Sequence, residues 1–192
     1  MQGLTKLYDT TWERVFEVWK NAEGSDPNWQ RVAKEKGFES WEAWRRNSLS
    51  PLEPETREWE VYKIDDVMNT VPKFRVGPYP TWQNLFTKKN VHTFADLVTT
   101  QPEWVAHNRG VQSRANHFPE STQFIGVYLE DENVVVLIEG HHRATAVALA
   151  VAQGTPVQVN QKPTIALATM SGDEKTALEK ILARGTGKQI EG

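Results

Sequence analysis

The segment over residues 124–153 constrains the fold of this chain more than any other. Residues 124–129 and 134–138 are apolar runs rich in β-branched side chains, and four polar residues separate them, which predicts a β-hairpin. An alanine-rich stretch over residues 144–153 follows almost without a loop and predicts a helix that ends at Gly154. Because both the hairpin and the helix after it are apolar, each must bury its surface, and a sheet packed against helices allows this. The sequence therefore predicts an α+β fold.

The turn between this hairpin and its helix, Gly140-His141-His142-Arg143, is the strongest candidate for a ligand site. The first N–H groups of a helix have no partner within it and carry partial positive charge, so they suit an anion. Gly140 allows a tight turn, and Arg143 offers a planar fork that can hold a phosphate or a carboxylate. His141 and His142 can donate to the same anion or transfer protons near neutral pH.

Each of these residues also has a purely structural interpretation. Gly140 can be a simple turn at a strand end, and Arg143 can form an ion pair with Glu139 or Asp131. Adjacent histidines point in different directions, and the remaining histidines show no ligand spacing, so we predict no metal site.

The run VVVLIEGHHRATAVALAVAQGTPVQV resembles the signature segment of the ParB/sulfiredoxin-like superfamily. In that superfamily a hairpin leads into a Gly-x-[His/Arg]-Arg turn, an alanine-rich helix, a glycine and a strand. The resemblance extends from Trp59 to about Thr169, with WEVYKIDDV as the first strand. It implies a ParB/sulfiredoxin-like domain, a small mixed sheet with packed helices, in which the helix N-terminus contacts a nucleotide phosphate.

The resemblance implies a role for each residue of the site. We assign His142 and Arg143 to the phosphate and the N–H groups of Ala144 and Thr145 to an anion cradle, while His141 faces the reacting atom. In the family, the first strand and the loop after it approach the site, so three residues are expected on the opposite wall: Tyr62, Lys73 and Arg75. If the protein is catalytic, three acidic residues are candidates for the base: Asp65, Asp66 and Glu139.

The resemblance also excludes two activities of the family. Sulfiredoxins use a cysteine within Gly-Cys-His-Arg, but His141 takes that position here and the chain contains no cysteine. ParB partitioning proteins bind CTP and carry a helix-turn-helix after this domain, whereas only about 20 residues follow Ser171. A third activity of the fold, phosphorylation of a small hydroxyl compound by the free-serine kinases, stays open.

Tryptophans dominate the first part of the chain, where helical spacing and caps predict short helices. A polar, proline-containing segment over residues 47–55 marks the best boundary, which gives an N-terminal helical domain (1–56), a ParB/sulfiredoxin-like domain (57–172) and a C-terminal helix and tail (173–192). The tryptophans either pack these helices onto the main domain or form a surface for a protein partner. Further strands are predicted over residues 59–64, 156–159 and 164–169.

Composition narrows the classes of partner. The net charge of −3 argues against a nucleic-acid binder, and basic pairs such as Arg45-Arg46 are typical of solvated surface. Without cysteine the chain has no disulfide and no thiol nucleophile. No apolar run reaches the length of a membrane span, so we expect a cytoplasmic protein that does not bind membranes.

Two functional hypotheses follow. In the first, the protein is a regulatory module that binds a nucleotide, such as ATP, or another phosphorylated small molecule. The alternative is an enzyme of the same superfamily, either an ATP-dependent phosphotransferase or a nucleotide hydrolase, which would use Mg²⁺.

Overall fold

The computed structural model describes residues 1–119, 122–157 and 163–184. Within these residues a five-stranded sheet has the order β1-β2-β5-β3-β4. Its strands are β1 (Leu4–Thr10), β2 (Trp59–Ile64), β3 (Gln123–Leu129), β4 (Val134–Glu139) and β5 (Thr164–Met170). Strands β3 and β5 are parallel and the other neighbours are antiparallel. The predicted α+β class is confirmed.

Helices pack against both faces of this sheet. They are α1 (Trp12–Glu23), α2 (Pro27–Glu35), α3 (Trp41–Leu49), α4 (Val67–Thr70), α5 (Pro80–Gln83), α6 (Phe94–Thr100), α7 (Pro102–His107), α8 (Arg109–Asn116), α9 (His141–Gln153) and α10 (Thr176–Arg184). The predicted hairpin is the pair β3–β4, and α9 starts directly after Gly140. This part of the sequence prediction is confirmed.

The tryptophan-rich helices cover one face of the sheet. Trp12 of α1 and Trp41 of α3 are almost fully buried, and the ring of Trp12 lies 5.1 Å from that of Trp59 in β2. These rings share one apolar cluster with Val127 of β3 and Ala166 of β5, whereas α6 and α9 cover the opposite face. The rings therefore attach the N-terminal helices to the sheet.

Residues 4–10 form an edge strand, whereas the sequence predicts only short helices in this part of the chain. Five consecutive side chains of β1 are exposed, so the strand lacks the alternation of apolar and polar residues that would reveal it. Backbone pairing with β2 holds it in place. The predicted boundary near residue 56 thus separates two parts of the chain that share one sheet.

Two further strands were expected near the C-terminal end. Residues 164–169 belong to β5, as predicted. A strand was also expected over residues 156–159, but residues 156 and 157 belong to no strand. Residues 158 and 159 lie outside the described residues. None of the helices in the described ranges combines the length and apolarity needed to cross a membrane.

Candidate functional site

A cavity of about 410 Å³ lies between the N-terminal helices and the turn that follows β4. One wall comes from α1, α2 and α3, through Trp19, Glu23, Trp29, Val32, Lys36, Trp44, Arg45 and Ser48. The opposite wall contains residues 79–82, Arg114, residues 138–143 and Ile181. The predicted turn therefore faces the tryptophan-rich helices, and the segment after β2 reaches it through residues 79–82.

The described residues around this cavity combine positive charge with aromatic rings. Four of them are basic and two are acidic, which leaves an excess of two positive charges in a chain whose net charge is −3. Five contribute an aromatic ring: Trp19, Trp29, Trp44, Tyr79 and Trp82. A ligand with an anionic part and a flat, apolar part matches this lining.

The start of α9 differs in one respect from the expected anion cradle. Gly140 has a φ of +105°, and a Cβ there would lie 2.4 Å from Cδ1 of Phe124, so only glycine fits this turn. The N–H of Ala144 donates to the C=O of Gly140 at 2.8 Å. The N–H groups that helix geometry leaves without an intrahelical partner are therefore those of residues 141–143, not those of Ala144 and Thr145. Thr145 is fully buried, and its hydroxyl donates to the C=O of His141 at 2.8 Å.

His141 is a buried, neutral residue that supports the turn. Its side chain is 6% exposed, and its Nε2 accepts a hydrogen bond from the N–H of Gly77 at 3.0 Å. Burial lowers the pKa of His141 to about 3, so the ring is neutral at pH 7 and its proton lies on Nδ1. Because Nε2 is already engaged, His141 positions the turn and does not present this nitrogen to a reacting atom.

The segment around Gly77 is a part of the site that sequence reasoning missed. A Cβ on Gly77 would lie 1.8 Å from the carbonyl oxygen of Leu137, so glycine is required where this segment meets β4. The buried amide of Gln83 donates to the carbonyls of Val76 and Gly77 at 2.8 and 2.9 Å. The rings of Tyr79 and Trp82 then pack on His141 with centroid distances of 5.4 and 5.0 Å. The feature of the sequence that marks this segment is the Gly-Pro-Tyr-Pro run over residues 77–80, which is typical of a turn.

His142 lies beside the cavity and is also neutral. Its ring is 5.1 Å from that of Trp82 and packs so closely on α8 that a Cβ on Gly110 would lie 2.5 Å from His142 Cδ2. Burial, together with the nearby charges of Arg114 and Arg143, lowers the pKa of His142 to about 4. At pH 7 His142 can therefore donate a neutral N–H but carries no charge towards an anion.

Arg143 forms an ion pair with Glu139, which is the structural interpretation that the sequence left open. Its guanidinium donates to the carboxylate of Glu139 and to the hydroxyl of Thr122, and it lies 5.1 Å from the ring centre of Phe124. The side chains of Arg143 and Glu139 are only 14% and 10% exposed. Burial raises the pKa of Glu139, and the ion pair with Arg143 opposes this shift. Arg143 borders the cavity, but its fork is engaged by the protein.

Arg45 of α3 brings a second guanidinium to the opposite wall. Its side chain is only 12% exposed, whereas the sequence suggested that Arg45 is a solvated surface residue. The guanidinium lies 4.1 to 5.7 Å from the ring centres of four tryptophans: Trp44, Trp19, Trp29 and Trp41. It contacts Glu23 at 3.2 Å, while its buried Nε has no hydrogen-bond partner within residues 1–119, 122–157 and 163–184.

The acidic residues proposed as bases do not meet at one place. Glu139 lines the cavity, but Asp65 and Asp66 are not among its lining residues. Asp65 pairs with Lys63 at 3.0 Å and accepts from the hydroxyl of Thr5 at 2.7 Å. Asp66 caps α4 by accepting from a backbone N–H at 3.1 Å.

The three residues expected on the opposite wall also have other partners. Tyr62 donates to Glu60, and Lys73 donates to Asn69 at 2.7 Å. Arg75 pairs with Glu132 at 2.5 Å. None of the three is among the residues that line the cavity.

Across the described ranges, no group of three or more His, Asp or Glu side chains is arranged to hold a metal ion.

Comparison with known proteins gives no relatives. The chain matches no family model, no curated protein and no solved structure. The resemblance to the ParB/sulfiredoxin-like superfamily therefore rests on the amino-acid sequence of residues 124–159, and membership stays a prediction.

Proposed function

We propose that this protein is a nucleotide-binding module and that the nucleotide occupies the cavity between α1–α3 and the Gly140 turn. The observation that carries the proposal is the composition of the lining, which has five aromatic rings and an excess of positive charge within an acidic chain. Nucleotides combine a flat base with a polyanion. The resemblance of residues 124–159 to the ParB/sulfiredoxin-like superfamily, whose fold we propose for this chain, supports the same ligand class.

The phosphates would lie at the N-terminus of α9. The N–H groups of residues 141–143 start this 13-residue helix, so its dipole favours an anion there. Arg114 on the same wall and Arg45 on the opposite wall add two guanidinium groups. Arg143 supports this end indirectly, since its ion pair with Glu139 fixes the strand-to-helix junction.

The base would lie against the tryptophans of the helical wall. Trp29 and Trp44 line the cavity beside Lys36 and Arg45, and stacking of one base on an aromatic ring contributes about 1–3 kcal/mol. Since Trp29 and Trp44 belong to α2 and α3, a bound nucleotide would bridge these helices and the sheet domain. Such a ligand can regulate a surface on the N-terminal helices that a protein partner contacts.

The proposal can be tested by titrating the protein with ATP, CTP, GTP, ADP and inorganic phosphate in a calorimeter, with and without Mg²⁺. Arg114 is exposed, so Arg114→Ala should leave the melting temperature unchanged and weaken nucleotide binding by about tenfold, the equivalent of one charge-assisted hydrogen bond. Arg109→Ala is the matched control, because Arg109 lies exposed on the same helix and does not line the cavity. Absence of binding by every nucleotide, or equal affinities of the two variants, would contradict the proposal.

A second candidate function, ATP-dependent phosphotransfer to a small hydroxyl compound, is favoured by Glu139. This residue, unlike Asp65 and Asp66, lines the cavity, and burial raises its pKa towards the range of a general base. The purified protein with ATP, Mg²⁺ and a pool of hydroxyl compounds should then release ADP only when an acceptor is present. Glu139→Gln should lower that rate by about 10²–10⁴-fold. Saturable nucleotide binding without turnover would leave the regulatory module as the function.

A further inference from the structure

Strand β1 is an open edge of the sheet. Within the described residues β2 is the one strand that pairs with it, so the N–H and C=O groups on its outer side have no partner from the sheet. The other edge is covered. The N–H of Arg75 donates to the C=O of Val135 at 2.8 Å, and the N–H of Leu137 donates to the C=O of Arg75 at 3.0 Å. The fold therefore protects the β4 edge and leaves the β1 edge open to another strand.

The middle of the open edge is apolar. Tyr8, at 55%, is the most exposed large apolar side chain in the part of the chain that the structure describes, and Leu7 beside it is 48% exposed. Lys6 and Asp9 flank this pair on either side. An open edge with exposed apolar side chains at its centre is a surface to which a further strand can add.

A β-bulge places both charged residues on one face of the sheet. The register of β1 shifts between Lys6 and Tyr8. Lys6 lies opposite Tyr62 of β2. Asp9 lies opposite Glu60, which is two positions from Tyr62 and therefore on the same face of the sheet. Accordingly, Nζ of Lys6 lies 2.7 Å from a carboxylate oxygen of Asp9. In a regular strand, two residues three positions apart would point to opposite faces.

This arrangement makes β1 complementary to a second copy of itself. Two antiparallel copies of one strand in a continuous sheet are related by a two-fold axis perpendicular to the sheet, so residues opposite each other must share a face. With the axis between Leu7 and Tyr8, these two residues lie opposite each other across the interface. Lys6 of each copy then lies opposite Asp9 of the other, on the same face. Apolar and oppositely charged cross-strand pairs both stabilise such a contact.

We propose that this protein forms a two-fold symmetric dimer in which β1 of one copy pairs antiparallel with β1 of a second, so that the two five-stranded sheets become continuous. The inference does not depend on the proposed nucleotide, since no residue of β1 lines the cavity. One strand per copy gives an interface smaller than the about 1,200–2,000 Å² of stable complexes. The dimer should therefore be weak, with a Kd between about 1 µM and 1 mM.

Sedimentation velocity of the full chain, over a concentration series that reaches about 1 mM, measures this dimer. Lys6→Glu and Asp9→Lys each place like charges opposite one another at two symmetric positions, and each should weaken self-association by at least about tenfold. In an equimolar mixture of the two variants, every charged pair across the interface again has opposite signs. The mixture should therefore associate about as strongly as the wild type, whereas an effect on folding alone would not be restored by mixing.

Two further variants complete the test. Lys6 also pairs with Glu60 in its own chain, so Tyr8→Lys, which leaves that pair intact, is an independent variant and should weaken self-association as well. Lys88→Glu, at an exposed position outside the sheet, is the control for Lys6→Glu and should associate as the wild type does. The melting temperature of each variant, measured on the same samples, shows that folded chains are compared.

A wild type that stays monomeric over the whole concentration series would overturn the proposal. Self-association that is unchanged in Lys6→Glu, Asp9→Lys and Tyr8→Lys would overturn it as well, because the dimer would then use another surface. Folded Lys6→Glu and Asp9→Lys chains that do not associate with each other would refute the antiparallel register. A wild type that dimerises but binds no nucleotide would contradict the proposed function and support this inference.

Discussion

The buried neutral ring of His141 makes the stability of this protein depend on pH in a way that one substitution can isolate. Burial lowers the pKa of His141 from 6.5 to about 3. Below pH 6.5 the unfolded chain takes up a proton at this residue that the folded protein does not bind. The stabilisation is therefore fully present above pH 6.5 and is lost as the pH falls towards 3.

The magnitude follows from the two pKa values. One pKa unit corresponds to about 1.4 kcal/mol, so the whole effect is at most about 5 kcal/mol. Between pH 7.5 and pH 5 the free energy of unfolding should fall by about 2 kcal/mol through His141 alone. His142, whose pKa is lowered to about 4, acts in the same direction, and Glu139, whose pKa is raised, acts in the opposite one.

His141→Gln separates this contribution from the others. The carboxamide oxygen of glutamine can accept the hydrogen bond from Gly77 in place of Nε2, but glutamine does not titrate. Urea unfolding at pH 7.5 and at pH 5 should show that the variant loses about 2 kcal/mol less than the wild type over this interval. His117→Gln, at an exposed position, should behave as the wild type does. An equal loss of stability in the wild type and His141→Gln would refute a buried neutral histidine at this position.

Two further predictions concern the ion pair and the N-terminal helices. Arg143→Ala leaves Glu139 buried without its partner and should lower the free energy of unfolding by about 3–5 kcal/mol. The double variant Glu139→Gln with Arg143→Met should regain much of this loss. A wild-type melting temperature for Arg143→Ala would contradict the structural role of the pair. A chain that starts at Glu55 lacks β1 and the helices α1–α3 that cover one sheet face, so circular dichroism should show it largely unfolded. A cooperative thermal transition in this chain would instead support an independent domain after residue 56.

The hairpin and the helix after it could be predicted from the sequence because their signals are local. Two apolar runs separated by a polar turn define β3 and β4, and Gly140 with the following alanines defines the start of α9. The ion pair of Glu139 with Arg143 was also accessible as an alternative, since the two residues are four positions apart at the strand-to-helix junction.

The remaining parts of the site depend on contacts between residues that are distant in the sequence. The partner of His141 Nε2 is the N–H of Gly77, 64 positions away, and no periodicity connects the two. Helical spacing predicts that Trp12 and Trp19 face inward but does not identify the sheet face that they cover. Strand β1 has exposed side chains on nearly every residue and is fixed by backbone pairing, which side-chain patterns do not reveal.

The position of the cavity, between α1–α3 and the sheet domain, gives the proposed ligand an effect on stability as well as a binding site. Arg45 and Trp29 come from the helices, while the N-terminus of α9 comes from the sheet domain, so a nucleotide that contacts both walls binds only when they are assembled. A ligand that binds the folded state alone stabilises it by about 2.7 kcal/mol at a concentration of 100 Kd. An anion that contacted only the N-terminus of α9 would leave the attachment of the helices unaffected. The two ligands can be compared by hydrogen exchange, with nucleotide and inorganic phosphate each added at 100 times its own Kd. The nucleotide should slow the exchange of the backbone amides of α2 and α3, and inorganic phosphate should leave it unchanged. Equal protection by the two ligands would mean that the tryptophan wall does not contact the base.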